Sequence, residues 1–168
     1  GMYKAEVLSE RIKELRNLRS TPIVHTIYND EKSEQLIRHG GYDIILGCLD
    51  NLEARYNLNE FAVKLSIPFI DGGTSPFMGA IYSYSPKQTP CIRCKKDLKP
   101  IKAQRTCARA LPSVIIPNMI IGDAMTGEAI NLISGNISNQ SFVYDGACDS
   151  KIYLQNDSGA KEECNCRN

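Results

Sequence analysis

The segment from Tyr42 to Asn59, YDIILGCLDNLEARYNLN, is the feature that most constrains the fold. Its first part, YDIILGC, is almost entirely apolar and lies between two stretches with helical periodicity. A strand that is apolar on both faces and is flanked by helices is typical of a parallel sheet covered on both sides. The segment therefore predicts a buried strand of an α/β fold, followed at once by a polar turn.

The residues around this strand alternate between helical and strand patterns. Helices are predicted over residues 4–17, 31–39 and 52–65, and strands over 23–28, 42–48 and 66–73. This alternation indicates a Rossmann-like, mostly parallel sheet. After Gly73 the pattern changes to a strand in MGAIYSYSP, a helix over 118–134 with Pro117 in its first turn, and a closing hairpin made by SFVYDG and KIYLQN.

Composition indicates one domain over residues 1–168, with an α/β part (3–89), a Cys-rich loop (90–110), and a helix, hairpin and Cys-containing tail (111–168). The chain has 42% hydrophobic and 23% charged residues, which is ordinary for a globular domain. Its net charge of +1 argues against a nucleic-acid or anionic-membrane partner. The sequence shows no secretion signal and no apolar run long enough to span a membrane, so we expect a soluble, cytoplasmic protein.

Asp50 stands just past the end of the predicted buried strand, where ligands bind in open α/β sheets. A carboxylate there can hold magnesium and, through it, phosphate oxygens. Equally, Asp50 or Asn51 can simply cap the following helix. Asn51, Arg55 and Asn59 share one helical face near this crevice, although a solvated face explains that spacing as well.

The glycine pairs do not form a phosphate-binding loop. Such a loop follows a strand and opens a helix, so that its backbone N–H groups point at the anion. Gly40-Gly41 instead precedes a strand, and Gly72-Gly73 leads into another strand. The chain thus shows one side of a nucleotide crevice without its glycine loop.

Seven cysteines in a chain without a secretion signal favour metal and thiol chemistry over disulfides. The pairs Cys91-x-x-Cys94 and Cys164-x-Cys166 supply four thiolates, enough for a tetrahedral structural zinc site. Free thiols in a mobile tail are the alternative, and Cys148 or Cys107 is an alternative to one of the last two ligands.

Cys107 lies between Arg105 and Arg109. Positive neighbours lower the pKa of a thiol, which makes Cys107 a candidate nucleophile. Because no histidine or other base is within sequence reach, an ordinary loop cysteine is the alternative.

In combination, these residues resemble the ThiF/MoeB family of ubiquitin-activating-enzyme-like adenylyltransferases. The resemblance covers most of the chain and rests on motifs in family order. These are GMYKAEV, GCLDNLEARYNLN, PFIDGG, CIRC, RTCARALPSV leading into EAINLISG, FVYDG, and a cysteine-containing tail. The resemblance implies ATP-dependent adenylation of the C-terminus of a ubiquitin-like or sulfur-carrier protein, with ATP and magnesium as the substrate complex and zinc as a structural metal.

The resemblance also implies roles for individual residues. Lys4 matches a phosphate-contacting lysine, Asp50 a magnesium ligand, and Asn51 its neighbour in the nucleotide site. Cys107 matches the cysteine that accepts the activated carboxylate or its sulfur in some members. Cys91 and Cys94 match the first zinc pair, while Cys164 and Cys166 depart from the family's Cys-x-x-Cys spacing.

The larger departure is at the front, since the family's first strand, glycine-rich loop and helix would lie before Lys4. We therefore expect a sheet that is incomplete at its N-terminal side and needs a homodimer mate or a separate N-terminal half. Whether the chain is itself an enzyme stays open. The alternatives are a non-catalytic, zinc-stabilised scaffold or dimerisation module, and a dinucleotide-binding oxidoreductase, which the absent glycine fingerprint disfavours.

Overall fold

A computed structural model describes residues 1–16, 18–94, 114–147, 150–157, 159 and 164–167. The helices are α1 (Lys4–Arg16), α2 (Glu31–Gly40), α3 (Leu52–Leu65) and α4 (Ile115–Ile133). The strands are β1 (Ile45–Gly47), β2 (Phe69–Thr74), β3 (Met78–Tyr84), β4 (Gln140–Asp145) and β5 (Lys151–Asn156). Short 3₁₀ turns lie at Ile92–Cys94 and Asn165–Arg167.

The strands form one sheet in the order β1-β2-β3-β4-β5. Only β1 and β2 are parallel, and α3 connects them in sequence; the other neighbouring strands are antiparallel. The α/β class and the closing hairpin, β4 with β5, are confirmed. The prediction of a mostly parallel sheet was wrong, because after β2 the chain reverses in a tight turn, where the Ser75 amide donates to the Met78 carbonyl at 2.8 Å.

Two strand predictions at the front of the chain were also wrong. Residues 23–28 form no strand, because this segment is held instead against α2. There, the Ser33 hydroxyl contacts His25 Nε2 at 2.9 Å and accepts the Tyr28 amide at 3.2 Å. Strand β1 is shorter than the predicted 42–48 and is not buried on both faces, since Leu46 is 49% exposed.

Helix ends follow the local sequence closely. The Asp30 carboxylate accepts the Ser33 amide at 2.8 Å and so caps the start of α2. Gly41, which follows the last residue of α2, has a left-handed φ of 60°. Helix α3 has the predicted bounds. Helix α4 begins three residues earlier than predicted, at Ile115, with Pro117 in its first turn as expected.

At β2 the sheet is covered on both faces. On one face Phe69 packs with α3 and with the 3₁₀ turn Ile92–Cys94, which we call the cysteine turn. On the other face Ile70 packs with Ile121 and Met125 of α4. Adjacent residues of β2 thus belong to different halves of the core, as the alternation of a strand requires. Within the described residues, the helices are too short or too polar to cross a membrane.

The contact between β3 and α4 gives a testable prediction. A Cβ placed on Gly79 would clash with Cγ1 of Ile121, which is buried. We expect Gly79→Ala to lower the free energy of unfolding by about 1–3 kcal/mol through overpacking. In an Ile121→Ala background, where the clashing atom is gone, Gly79→Ala should cost much less. Equal costs in the two backgrounds, measured by urea unfolding, would contradict this packing.

Candidate functional site

The turn between β1 and α3 carries Asp50 and Asn51. Asn51 caps α3, because its Oδ1 accepts the Ala54 amide at 2.8 Å. Its Nδ2 donates to Asp50 Oδ1 at 3.3 Å. The capping role that the sequence left open between these two residues therefore belongs to Asn51. The Asp50 carboxylate is exposed near the positive end of the helix dipole, where it is accessible to a cation.

Arg55 joins this turn to the sheet. Its Nε and Nη2 donate to the Leu49 carbonyl at 2.9 Å and 2.6 Å, and its Nη1 donates to Asp71 Oδ2 on β2 at 3.0 Å. The ion pair is well buried, with the Arg55 side chain 17% and the Asp71 side chain 2% exposed. Charge-assisted hydrogen bonds that are shielded from water are stronger than those exposed to it.

Burial raises the pKa of Asp71 to about 6, against the charge and hydrogen bonding of Arg55, which lower it. Oδ1 of Asp71 is buried and has no hydrogen-bond partner within the described part of the chain. The sequence interpretation did not identify Asp71 as a site residue. An acidic residue inside an apolar strand was the available signal, because a buried carboxylate requires a partner.

Asn59 contacts the cysteine turn rather than the crevice. It is 1% exposed, and its Oδ1 accepts the Ile92 amide at 3.0 Å, in the 3₁₀ turn between Cys91 and Cys94. The polar face predicted for α3 therefore has three separate functions. Asn51 caps the helix at the crevice, Arg55 contacts the sheet, and Asn59 supports the cysteine turn.

The cysteine turn and the chain's tail meet beneath α3. The sulfur atoms of Cys91, Cys94, Cys164 and Cys166 all lie within 4.8 Å of one another. Three of the separations are 3.8 Å (Cys91 to Cys94), 3.6 Å (Cys91 to Cys164) and 3.7 Å (Cys94 to Cys166). We call these four residues the sulfur cluster. Cys148 lies outside the described residues.

The sulfur cluster has the dimensions of a tetrahedral zinc site. A zinc–sulfur bond of about 2.3 Å places the corners of a tetrahedron roughly 3.8 Å apart, close to the three separations given above. Cys91, Cys94 and Cys166 are buried, and Cys164 is partly buried. This donor set therefore fits a closed structural site, and the assignment of zinc stays a prediction.

The pKa values of the thiols in the sulfur cluster are shifted in different directions. Burial raises the pKa of the Cys91 and Cys166 thiols. For Cys164, burial raises the pKa, but hydrogen bonds from Cys166, Cys94 and Cys91 lower it more, to about 7. Without a cation, thiolates this close to one another repel, so full deprotonation of the sulfur cluster requires a bound positive charge.

Lys4 and Cys107 are the remaining predicted site residues. Lys4 is exposed at the first turn of α1, and among the described residues it forms no ion pair with Asp50. Cys107 lies outside the described residues, so its predicted role as a nucleophile stays a prediction.

Comparison with known proteins places the whole chain in one sequence family. Residues 1–167 match the model of the ThiF family. The "Adenylyltransferase and sulfurtransferase MOCS3" of Dictyostelium discoideum is 28% identical over 152 residues, which are 87% of this chain and 35% of the relative. The "Sulfur carrier protein ThiS adenylyltransferase" of Bacillus subtilis is 32% identical over 138 residues, 80% of this chain and 39% of that protein. The chain therefore spans less than half the length of these relatives.

Solved structures show the same fold. The structure of E. coli MccB with AMPCPP and MccA has a TM-score of 0.74 at 20% identity, covering 98% of this chain and 50% of that one. MccB with ATP gives a TM-score of 0.73 at 20% identity, with the same coverage of both chains. The fold described here corresponds to about half of the MccB chain.

The sulfur cluster gives a testable prediction. We expect the purified chain to contain about one zinc ion, and Cys94→Ser to lose it and unfold more readily, because structural zinc contributes folding energy. Cys48→Ser is the matched control, since Cys48 is an exposed cysteine outside the sulfur cluster. Metal analysis that finds equal zinc in the two variants would contradict the assignment.

Proposed function

This chain belongs to the ThiF family, and we propose on that basis that it takes part in the ATP-dependent adenylation of the C-terminus of a ubiquitin-like or sulfur-carrier protein. Two relatives whose names state adenylyltransferase activity align with most of the chain. In the proposed reaction a carboxylate oxygen of the carrier attacks the α-phosphorus of ATP. A new P–O bond forms, and the bond to pyrophosphate breaks.

The observation that carries this proposal is the Asp50 turn. Asp50 follows the end of β1, is exposed, and lies beside the N-terminus of α3. In open α/β sheets this is the place for a ligand, and a carboxylate there suits magnesium bound to phosphate oxygens. The Asn51 amide contacts Asp50, so we assign Asn51 the orienting of this carboxylate in addition to its capping role.

Two further roles follow from the family resemblance. Lys4 neutralises phosphate charge as pyrophosphate leaves. The Cys107 thiolate attacks the carbonyl carbon of the acyl-adenylate, so that a thioester forms as AMP departs. The four residues of the sulfur cluster would hold zinc in a structural role, because four thiolate ligands would leave no open position for a substrate.

A test of the proposal is ATP–pyrophosphate exchange by the full chain with a candidate carrier protein. We expect Asp50→Asn to lower exchange about a hundredfold or more, because the carboxylate that holds the metal loses its charge. Asp43→Asn is the matched control, since Asp43 is an exposed aspartate before β1.

Two outcomes decide between this function and the alternative. Equal loss in both variants would contradict the role of Asp50. Absence of both exchange and MgATP binding by calorimetry in the unsubstituted chain would exclude autonomous catalysis and favour a zinc-stabilised scaffold.

We also propose a homodimer that forms through α4. The sheet-facing side of this helix is buried, yet its opposite side is apolar as well. Its outward apolar side chains are 53–72% exposed: Ile116, Met119, Ile130 and Ile133. Large apolar side chains exposed together on the outer side of a helix indicate a surface that a partner covers.

The spacing on this outward face favours a second copy of the chain as the covering partner. In an antiparallel pair of α4 helices crossing at its centre, Ile116 would face Ile133 of the partner, and Met119 would face Ile130. The two central polar residues, Asp123 and Thr126, would also face each other. A face that complements itself when reversed is what a two-fold interface requires.

The dimer proposal can be tested by light scattering on the full chain. We expect Ile130→Glu to convert a dimer into a monomer, because each copy would bury an unpaired charge. Leu8→Glu on α1 is a matched control, since Leu8 is 59% and Ile130 60% exposed. A monomeric parent chain, or dissociation caused by Leu8→Glu alone, would refute the assignment to α4 and favour a separate N-terminal half as the partner.

A further inference from the structure

The Arg55 guanidinium lies between two backbone segments that belong to different elements. On one side it donates twice to the Leu49 carbonyl, which directly precedes Asp50. On the other side it donates to Asp71 in the middle of the sheet. One side chain therefore links the backbone of the Asp50 turn to β2, in addition to the pairing of β1 with β2.

Two positions next to this ion pair have no room for a side chain and are occupied by glycine. A Cβ on Gly73 would clash with Arg55 Nη1, and a Cβ on Gly47 would lie 2.8 Å from Asp71 Oδ1. Gly47 and Asp71 are partners in the parallel register of β1 and β2. These glycines, which form no phosphate loop, leave room for the ion pair.

We propose that Asp71 and Arg55 are positioning residues for the candidate nucleotide site: Asp71 holds the Arg55 guanidinium, which holds the Leu49 carbonyl and so fixes the turn that carries Asp50 and Asn51. The nucleotide-binding role of the turn rests on the proposed function. The role of the ion pair in holding the turn is independent of that function.

The ionisation of Asp71 gives this role a distinctive pH signature. The groups that act on Asp71 or respond to it are Arg55 from α3, Cys48 after β1 and Tyr82 from β3. Burial raises the pKa of Asp71 from 3.8 to about 6, so protonation weakens its bond to Arg55 as the pH falls through that value. The turn should then loosen.

Overall stability should respond to the same proton in the opposite sense. Between pH 3.8 and about 6 the folded chain keeps a proton that the unfolded chain releases. The contribution of Asp71 to the free energy of unfolding therefore falls as the pH rises through this window and is constant above it. If Asp71 only stabilised the fold, its protonation would not loosen the turn in the same pH range in which its contribution to the free energy of unfolding rises.

The test uses amide NMR and hydrogen exchange on the full chain. On lowering the pH from about 7.5 to about 5, we expect the amide signals of residues 49–54 to shift with a midpoint near pH 6, and not to do so in Asp71→Asn. At pH 7.5, Asp71→Asn and Arg55→Lys should lower the protection of the Ala54 amide about tenfold or more. The Val143 amide in β4 should change little.

Lys64→Met is the control, because it breaks an ion pair with Glu34 in which Lys64 is 61% exposed. Unchanged Ala54 protection in Asp71→Asn and Arg55→Lys, or an equal loss at Val143, would overturn the positioning role. If Asp71→Asn does not fold, the titration of the unsubstituted chain and Arg55→Lys decide the question.

Calorimetry with MgATP separates this inference from the proposed function. We expect both substitutions to weaken MgATP binding about tenfold or more and Lys64→Met to leave it unchanged. A parent chain that does not bind MgATP would contradict the proposed function, while the NMR measurements would still decide whether the ion pair holds the turn.

Discussion

The hydrogen bond from the Ile92 amide to the buried Asn59 side chain connects the two chemically distinctive parts of this molecule. Asn59 is on the helix whose first turn meets the Asp50 crevice, and Ile92 lies between two members of the sulfur cluster. Because a buried amide that loses its partner costs about 1–3 kcal/mol, this contact fixes the cysteine turn firmly to α3. Helix α3 is therefore the common support of the crevice, the sheet and the sulfur cluster.

Local signals in the sequence predicted the helices better than they predicted the sheet. Asp30 and Asn51 stand at the starts of α2 and α3, where a short polar side chain satisfies the first helical amides. Strand direction has no comparable local signal. The reversal after β2 depends on a turn at Ser75. The run at residues 23–28 has strand composition, although it pairs with no strand in the part of the chain that the structure describes.

In the candidate site, too, local sequence predicted some residues, whereas the role of others depends on the fold. Asp50 and the four cysteines became candidates through position and spacing, since a residue after a strand and pairs of thiols are visible in one dimension. Asp71 was missed because its meaning depends on Arg55, sixteen residues away. The interpretation of Arg55 as part of a shared polar face was reasonable for an isolated helix, but neighbouring elements gave each polar side chain of that face a different partner.

The wide separation of the sulfur cluster along the chain has a consequence for biosynthesis. Cys91 and Cys164 are 73 residues apart, and helix α4 with the hairpin β4–β5 lies between them. The ribosome must therefore synthesise α4, β4 and β5 before the tail can supply its thiolates. Because closing such a long loop is costly until its ends are held together, metal capture would come late and would secure a chain that is already assembled.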